Sequence, residues 1–401
     1  MKRPPARAAG GPRTFAAGPR RAFAAVVITA LAACAAGCGQ AASHQASPDV
    51  PAVAPSLNTS LATTAGTWAA VVMGGSNADN NAFWQLFTRP AGSTSWKLVT
   101  PPGVATNGGF VLAAEGGQSV IAGFRPGVDL TFSALAATRD NGSTWQPGSP
   151  LQPGLADVPD ALAAAPGGGR MLALLLGGTL TQSGDDGTHW SALSDVRSLA
   201  QTPAGRRCSP TGLTAVSLTP SGAPLAAATC TRPGITGIFS YTAGSWQAAG
   251  PSLPAPLTGT ATGVLRLTST PAGNEALLVA DTGTAASLLA ARTGDGGAHW
   301  ALSAPVRLGA AAVRSSGFGV GGAAWAVLSD GRAETISGQA TAWRALPAVP
   351  PGTAALAPGP GGGFDALAVS GSKLTVWRLD QGATAWTRTQ VINVPIEYGS
   401  S

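Results

Sequence analysis

Apolar residues in this chain come in short runs, each closed by glycine, proline or a small polar residue. Residues 110–114, 119–124, 132–138 and 145 onward read as four successive strands, and 161–165, 171–176, 180–183 and 189 onward repeat the scheme. The stretches 263–309 and 353–394 divide in the same way. Long amphipathic helices are not expected. The pieces Pro166-Gly167-Gly168-Gly169 and Pro358-Gly359-Pro360-Gly361 fall between the first two strands of their units. They lack the Lys-Ser/Thr of a phosphate-binding loop and read as hairpin turns.

The four-strand unit recurs with a tryptophan at the start of each fourth strand, at positions 96, 145, 190, 246, 300, 343 and 386. Successive spacings of 49, 45, 56, 54, 43 and 43 residues match a four-stranded repeat. Such a sheet cannot bury both faces alone and must stack on its neighbours. The expected fold is therefore all-β: a seven-bladed β-propeller with four-stranded antiparallel blades, spanning 61–401. The chain has 401 residues, and a propeller reaches that length by adding blades around an axis rather than by thickening one core. Blade 1 shows only three strands, at 68–73, 81–88 and 96–99. Either 56–64 supplies its inner strand, or 389–395 closes the ring against it.

Three of the tryptophans end a shared motif, Ser/Thr-x-Asp-x-Gly-x-x-Trp. Its copies carry Asp140, Gly142 and Trp145; Asp185, Gly187 and Trp190; and Asp295, Gly297 and Trp300. An aspartate at the start of a hairpin turn can accept from its unpaired backbone N–H groups, and glycine supplies the positive φ that closes it. The tryptophan can then pack under the turn or between blades. These aspartates read as turn-holders, and His189 and His299, just before the tryptophan, as strand-face residues rather than catalytic bases. Weaker copies precede Trp96, Trp246, Trp343 and Trp386. The motif resembles the Asp-box, or bacterial neuraminidase repeat, of the sialidase superfamily, and the resemblance implies a propeller. Sialidase activity is not implied, because the family's Phe/Tyr-Arg-Ile-Pro motif is reduced here to Phe124-Arg125-Pro126 in blade 2. The two tyrosines, Tyr241 and Tyr398, also lie where no channel nucleophile belongs.

Charge changes the picture at the N-terminus. The chain carries 24 Lys and Arg against 18 Asp and Glu, but six of the basic residues precede Cys34, where no acidic residue occurs. The remainder is formally neutral and has no basic stripe, which disfavours nucleic acid as a partner. The basic start, the apolar run 23–33 and the small residues around two cysteines read as an export signal over 1–37. The run is too short to span a bilayer. The flanks resemble a bacterial lipoprotein signal with Cys38 as the lipidated residue, Cys34 being the alternative. Arg20-Arg21 leaves general and twin-arginine export both open. Residues 38–60, polar and Pro-rich, read as a flexible tether in which His44 is a solvated linker residue. The expected location is extracytoplasmic, on the outer face of the cell membrane.

Cys208 and Cys230 flank a strand–turn–strand segment, and in an oxidising compartment they are expected to form a disulfide within one blade. Loops between second and third strands converge on one propeller face, where binding groups commonly sit. They carry Asp79, Arg125, Asp129, Arg232, Asp281, Asp330 and Arg332 as binding candidates. No metal site, cofactor or catalytic group is indicated. The reading is a monomeric, non-catalytic recognition or scaffold propeller for a protein or cell-wall polysaccharide at the membrane surface. The alternative is a glycoside hydrolase, sialidase-like or another two-carboxylate glycosidase drawing on two of Asp79, Asp129, Asp281 and Asp330.

Overall fold

The computed structural model describes residues 60–74, 82–102, 109–124, 135–147, 159–255, 257–283 and 285–395. Their strands form five antiparallel four-stranded sheets and one of nine strands. Each four-stranded sheet is a meander in which consecutive strands are neighbours, the first running Ser60–Thr63, Gly66–Gly74, Ala82–Pro90 and Lys97–Leu98. The nine-stranded sheet is two such meanders, begun by Pro210–Leu218 and Ala261–Thr270, joined through the single residue pair Cys230 and Thr262. Divided there, the described strands make seven groups, called sheets 1 to 7 below, each of four strands except that the outer strand of sheet 5 is in two pieces, Ala301–Leu302 and Val306–Gly309, both paired with Ala286–Thr293. The first strands of the groups contact one another in cyclic order, and Ser60–Thr63 meets Thr353–Pro358 to complete the circle. The fold is an all-β propeller.

Burial follows position in the blade. The second strands Met171–Leu175, Pro224–Cys230 and Ala324–Leu328 are buried throughout because a neighbouring sheet covers each face. That explains their unbroken apolar character, where a half-exposed strand would alternate. The fourth strands Lys97–Leu98 and Arg344–Ala345 are exposed. Each of the seven tryptophans packs into an apolar cluster shared with the preceding sheet. Several also bond across the gap: the indole of Trp300 donates to Ala249 O at 2.8 Å, Trp343 to Ser303 Oγ at 2.9 Å and Trp386 to Pro347 O at 3.2 Å. Trp145 meets Trp68 edge to face at 6.1 Å.

Between sheets 3 and 4 the chain adds an insert absent from the sequence expectation, the short helices α1 (Val196–Gln201) and α2 (Pro203–Cys208). Asp195 caps α1 and Thr202 caps α2. Cys208 is joined to Cys230 on the second strand of sheet 4, both buried, so the insert is held covalently to its blade.

The ring closes without a shared blade. Ser60–Thr63 is the inner strand of sheet 1, and Thr387–Asn393 is the outer strand of sheet 7, so each sheet uses one continuous stretch of chain. The seam is held by side chains. Asp365 of sheet 7, fully buried, lies 3.0 Å from Arg89 Nε of sheet 1 and 2.8 Å from Arg378 Nε of its own sheet, and accepts from Trp96 Nε1 at 2.9 Å. Arg89 also donates to Pro358 O at 2.6 Å, and Arg378 to Thr94 O at 3.1 Å. Gln390 accepts from Trp96 N at 2.8 Å and donates to Trp96 O at 2.9 Å. Every described strand lies in one compact unit, Ala46–Ser401, which contains all of the apolar clusters.

Removing one charge from a buried, paired group leaves its partners uncompensated, at a cost of about 3–5 kcal/mol. Asp365→Asn should lower stability by that amount in urea unfolding, while Asp380→Asn, on an exposed turn, should change it by less than about 0.5 kcal/mol.

Candidate functional site

The three motif turns have one hydrogen-bond pattern. The first-position hydroxyl (Thr138, Ser183, Thr293) donates to the aspartate Oδ1 at 2.8, 2.8 and 2.7 Å and accepts from the glycine N at 2.9, 3.0 and 3.1 Å. The same Oδ1 accepts from the backbone N before the tryptophan at 2.8, 2.9 and 2.9 Å. The side chain at that position then reaches Oδ2: Thr144 Oγ1 at 2.6 Å, His189 Nδ1 at 2.5 Å and His299 Nδ1 at 2.6 Å. The histidines, expected as strand-face residues, are thus the fourth corner of the turn. Asn141 and Asp186 join the glycines at positive φ, 55° and 57°, a conformation that short polar side chains tolerate. These bonds hold the carboxyls of Asp140, Asp185 and Asp295 below their usual range, Asp185 at about 2, chiefly through the backbone N–H of His189 in that case. An aspartate so engaged is a structural anion.

Of the seven loop candidates, Asp79, Arg125 and Asp129 lie outside the described residues. The other four stand on the face opposite the motif turns, each tied down locally. Asp281 accepts from Gly283 N at 2.8 Å in its own turn. Arg332 pairs with Asp330 at 2.7 Å and donates to Leu308 O at 2.9 Å, which pulls the Asp330 carboxyl below its usual value. Arg232 donates to Ser209 Oγ at 3.3 Å beside the insert.

The cavity lies elsewhere. About 1300 Å³ of space occupies the middle of the ring and opens on the motif-bearing face, between the first and second strands' turns at Thr64, Gly117, Pro271 and Val320. Its wall is built from inner strands and presents Ala113, Ala163, Thr214, Ser217 and Thr268, with Arg266 among them and a second arginine, Arg292, on one flank. Burial lowers the Arg266 pKa to about 10, and its Nε donates to Ser316 O at 3.2 Å. None of Arg232, Asp281, Asp330 and Arg332 lines this space, whereas Asp295, His299 and Trp300 do.

One flank of the cavity runs between sheets 5 and 6, to a pair that the loop-based reading missed. Glu275 and Arg292 stand 3.7 Å apart, largely buried. Arg292 donates to Gly322 O at 2.8 Å and Ala340 O at 3.3 Å, both on the next sheet. Burial raises the Glu275 pKa, with Arg292 opposing, and Glu275 Oε2 has no hydrogen-bond partner among the described residues. Both residues flank an apolar run near a strand end, Glu275 third in Gly273–Asp281 and Arg292 last but one in Ala286–Thr293. A charge at such a position is the signal that could have found them. Among the described residues no group of three or more His, Cys, Asp or Glu could hold a metal ion, and no helix is long and apolar enough to cross a membrane.

No protein-family model matches the chain, and no curated protein matches it. Its fold is similar to that of a Lactobacillus plantarum protein, with TM-score 0.55, 11% identity, and coverage of 82% of this chain and 97% of that one. A candidate 6-phosphogluconolactonase from Bacteroides uniformis gives TM-score 0.52 at 14% identity, covering 81% and 96%. YCF48 from Cyanidioschyzon merolae gives TM-score 0.47 at 15%, covering 81% and 93%. At these identities the likeness extends to the β-propeller fold, and function rests on the site's own chemistry.

Because the motif aspartates have depressed pKa values in the folded state, their contribution is complete above the unfolded value of about 3.9 and is lost as pH falls. For Asp185 the loss runs down to about pH 2. Melting temperature should fall between about pH 4 and 2, and the triple variant Asp140→Asn, Asp185→Asn, Asp295→Asn should show a shallower acid slope by calorimetry.

Proposed function

We propose that this chain is an exported, lipid-anchored, seven-bladed propeller that acts by recognition, presenting its central cavity to a protein or cell-wall polysaccharide outside the membrane. The observation that carries the reading is the cavity itself. It is large, opens on a rim of turns from several blades and is walled mostly by small uncharged side chains. That lining suits contact with an extended chain better than a two-carboxylate reaction. The motif carboxylates are occupied in holding turns, as described above. Lipidation at Cys38, or at Cys34, gives the anchor, and the chain acts as a monomer.

A second reading, glycoside hydrolysis, has one observation in its favour. Glu275 and Asp295 both line the cavity, and their surroundings push their pKa values in opposite directions, as in an acid paired with an ionised partner. Against it, Glu275 packs onto Arg292 and Gly322 as part of the join between two sheets.

The test combines crosslinking on intact cells with retention on purified cell-wall glycan. Thr64→Trp with Val320→Trp, at the exposed cavity mouth, should reduce capture of the partner at least tenfold without changing the melting temperature. Undiminished capture overturns the cavity as the site. Release of sugar that Glu275→Gln abolishes would replace recognition with hydrolysis. Mass spectrometry of the exported chain should find a diacylglyceryl group on its first residue, Cys38, and an unmodified N-terminus would refute the anchor.

A further inference from the structure

The face opposite the cavity mouth carries a second surface. The α1–α2 insert presents Arg197, Arg206 and Arg207 to solvent, and the exposed Arg232 joins them through its bond to Ser209, one residue past the disulfide. No ion pair within 4.0 Å is formed by any of the four among the described residues. The nearest acid on the insert, Asp195, is committed to capping α1, with Oδ1 2.6 Å from Ser198 N. Two of the exposed large apolar side chains stand on the same side: Leu176, 45% exposed, in the turn that lies against Val196 of α1, and Ile235, 37% exposed, three residues beyond Arg232. Guanidinium groups interleaved with exposed aliphatic side chains are the composition of a surface that meets lipid headgroups and the acyl boundary beneath them.

Chain direction supplies an independent argument. Ser60–Thr63 runs toward the turn at Thr64 and Ala65, on the motif face, where Asn141 Nδ2 bonds Ala65 O at 3.4 Å. The first described residue, Ser60, therefore stands at the insert end of its strand. The 22 residues 38–59 can extend at most about 75 Å, so an acyl chain on Cys38 keeps this side within reach of the bilayer.

We propose that the insert face docks on anionic phospholipid headgroups, turning the cavity outward. The orientation rests on the anchored reading above, but the lipid contact itself does not, and the test omits the acyl chain. The chain from Gly39 onward keeps every described strand and the whole compact unit. It is sedimented with vesicles of phosphatidylcholine alone or with phosphatidylglycerol. Charges near an anionic surface each strengthen partitioning about fivefold. Binding should prefer the phosphatidylglycerol vesicles at low salt and weaken as salt screens it. Arg197→Gln, Arg206→Gln, Arg207→Gln and Arg232→Gln together should weaken it roughly 600-fold. Arg139→Gln with Arg344→Gln, exposed at the other face, should leave it within twofold, and both variants should keep the parent's melting temperature. Equal binding to both vesicle types, or an equal loss in the two variants, overturns the proposal. If vesicles bind as stated while the exported chain proves unacylated, the anchor fails and the docking face stands.

Discussion

A ring assembled from consecutive stretches of chain has one seam where no peptide bond joins neighbours, and here that seam is held around a single buried carboxylate. Asp365 receives two guanidinium groups and an indole N–H. Desolvating three ionic groups together is costly, and the geometry offsets it by giving each cation further oxygens to bond. Burial lowers the Arg89 pKa even so, with Asp365 working against that shift. Every other inter-blade contact has chain continuity in its favour. This one closes residues 269 positions apart in sequence, and the circular core depends on it.

The same need is met differently around the rest of the ring. Each tryptophan at the start of a fourth strand buries its face against the preceding sheet, so the repeat that identifies the blades is also what joins them. The motif turns fix the hairpins carrying three of these tryptophans, and Arg292 adds a cationic clasp from sheet 5 to sheet 6. Arg170 does the same from sheet 3, donating to Gly222 O at 3.3 Å. Gly222 and Gly322 both lie at positive φ in turns between first and second strands, so each exposes a carbonyl that an arginine on the neighbour can reach.

Local features were legible in the sequence for physical reasons. Strand alternation, turn glycines and the Ser/Thr-x-Asp-x-Gly-x-x-Trp spacing are all set by residues within a few positions of one another. The seam was not legible, because Arg89, Asp365 and Arg378 share no local pattern and only the closed ring brings them together. The insert did carry signals: Asp195 before Val196 and Pro203 after Thr202 are helix-start residues. They stand between the fourth strand of one unit and Cys208, where the repeat itself offers no pattern. The cavity was invisible because it is a property of ring packing, and of the described loop charges on the other face Asp281 and Asp330 are held within their own turns, while Arg232 and Arg332 also bond neighbouring segments.

The two faces of the disc are therefore unlike each other for reasons that begin in the connections. Turns between first and second strands, and between third and fourth, are short, glycine-rich and tied by carboxylates, which leaves the middle of that face open. Connections from one blade to the next must cross a wider gap, and on that side they have room for helices, a disulfide and exposed arginines. A propeller with equal faces could be approached from either side. In this one, topology gathers the motif turns on one face and the long crossovers on the other, and the first strand, Ser60–Thr63, runs from the crossover side toward the motif face that holds the cavity mouth.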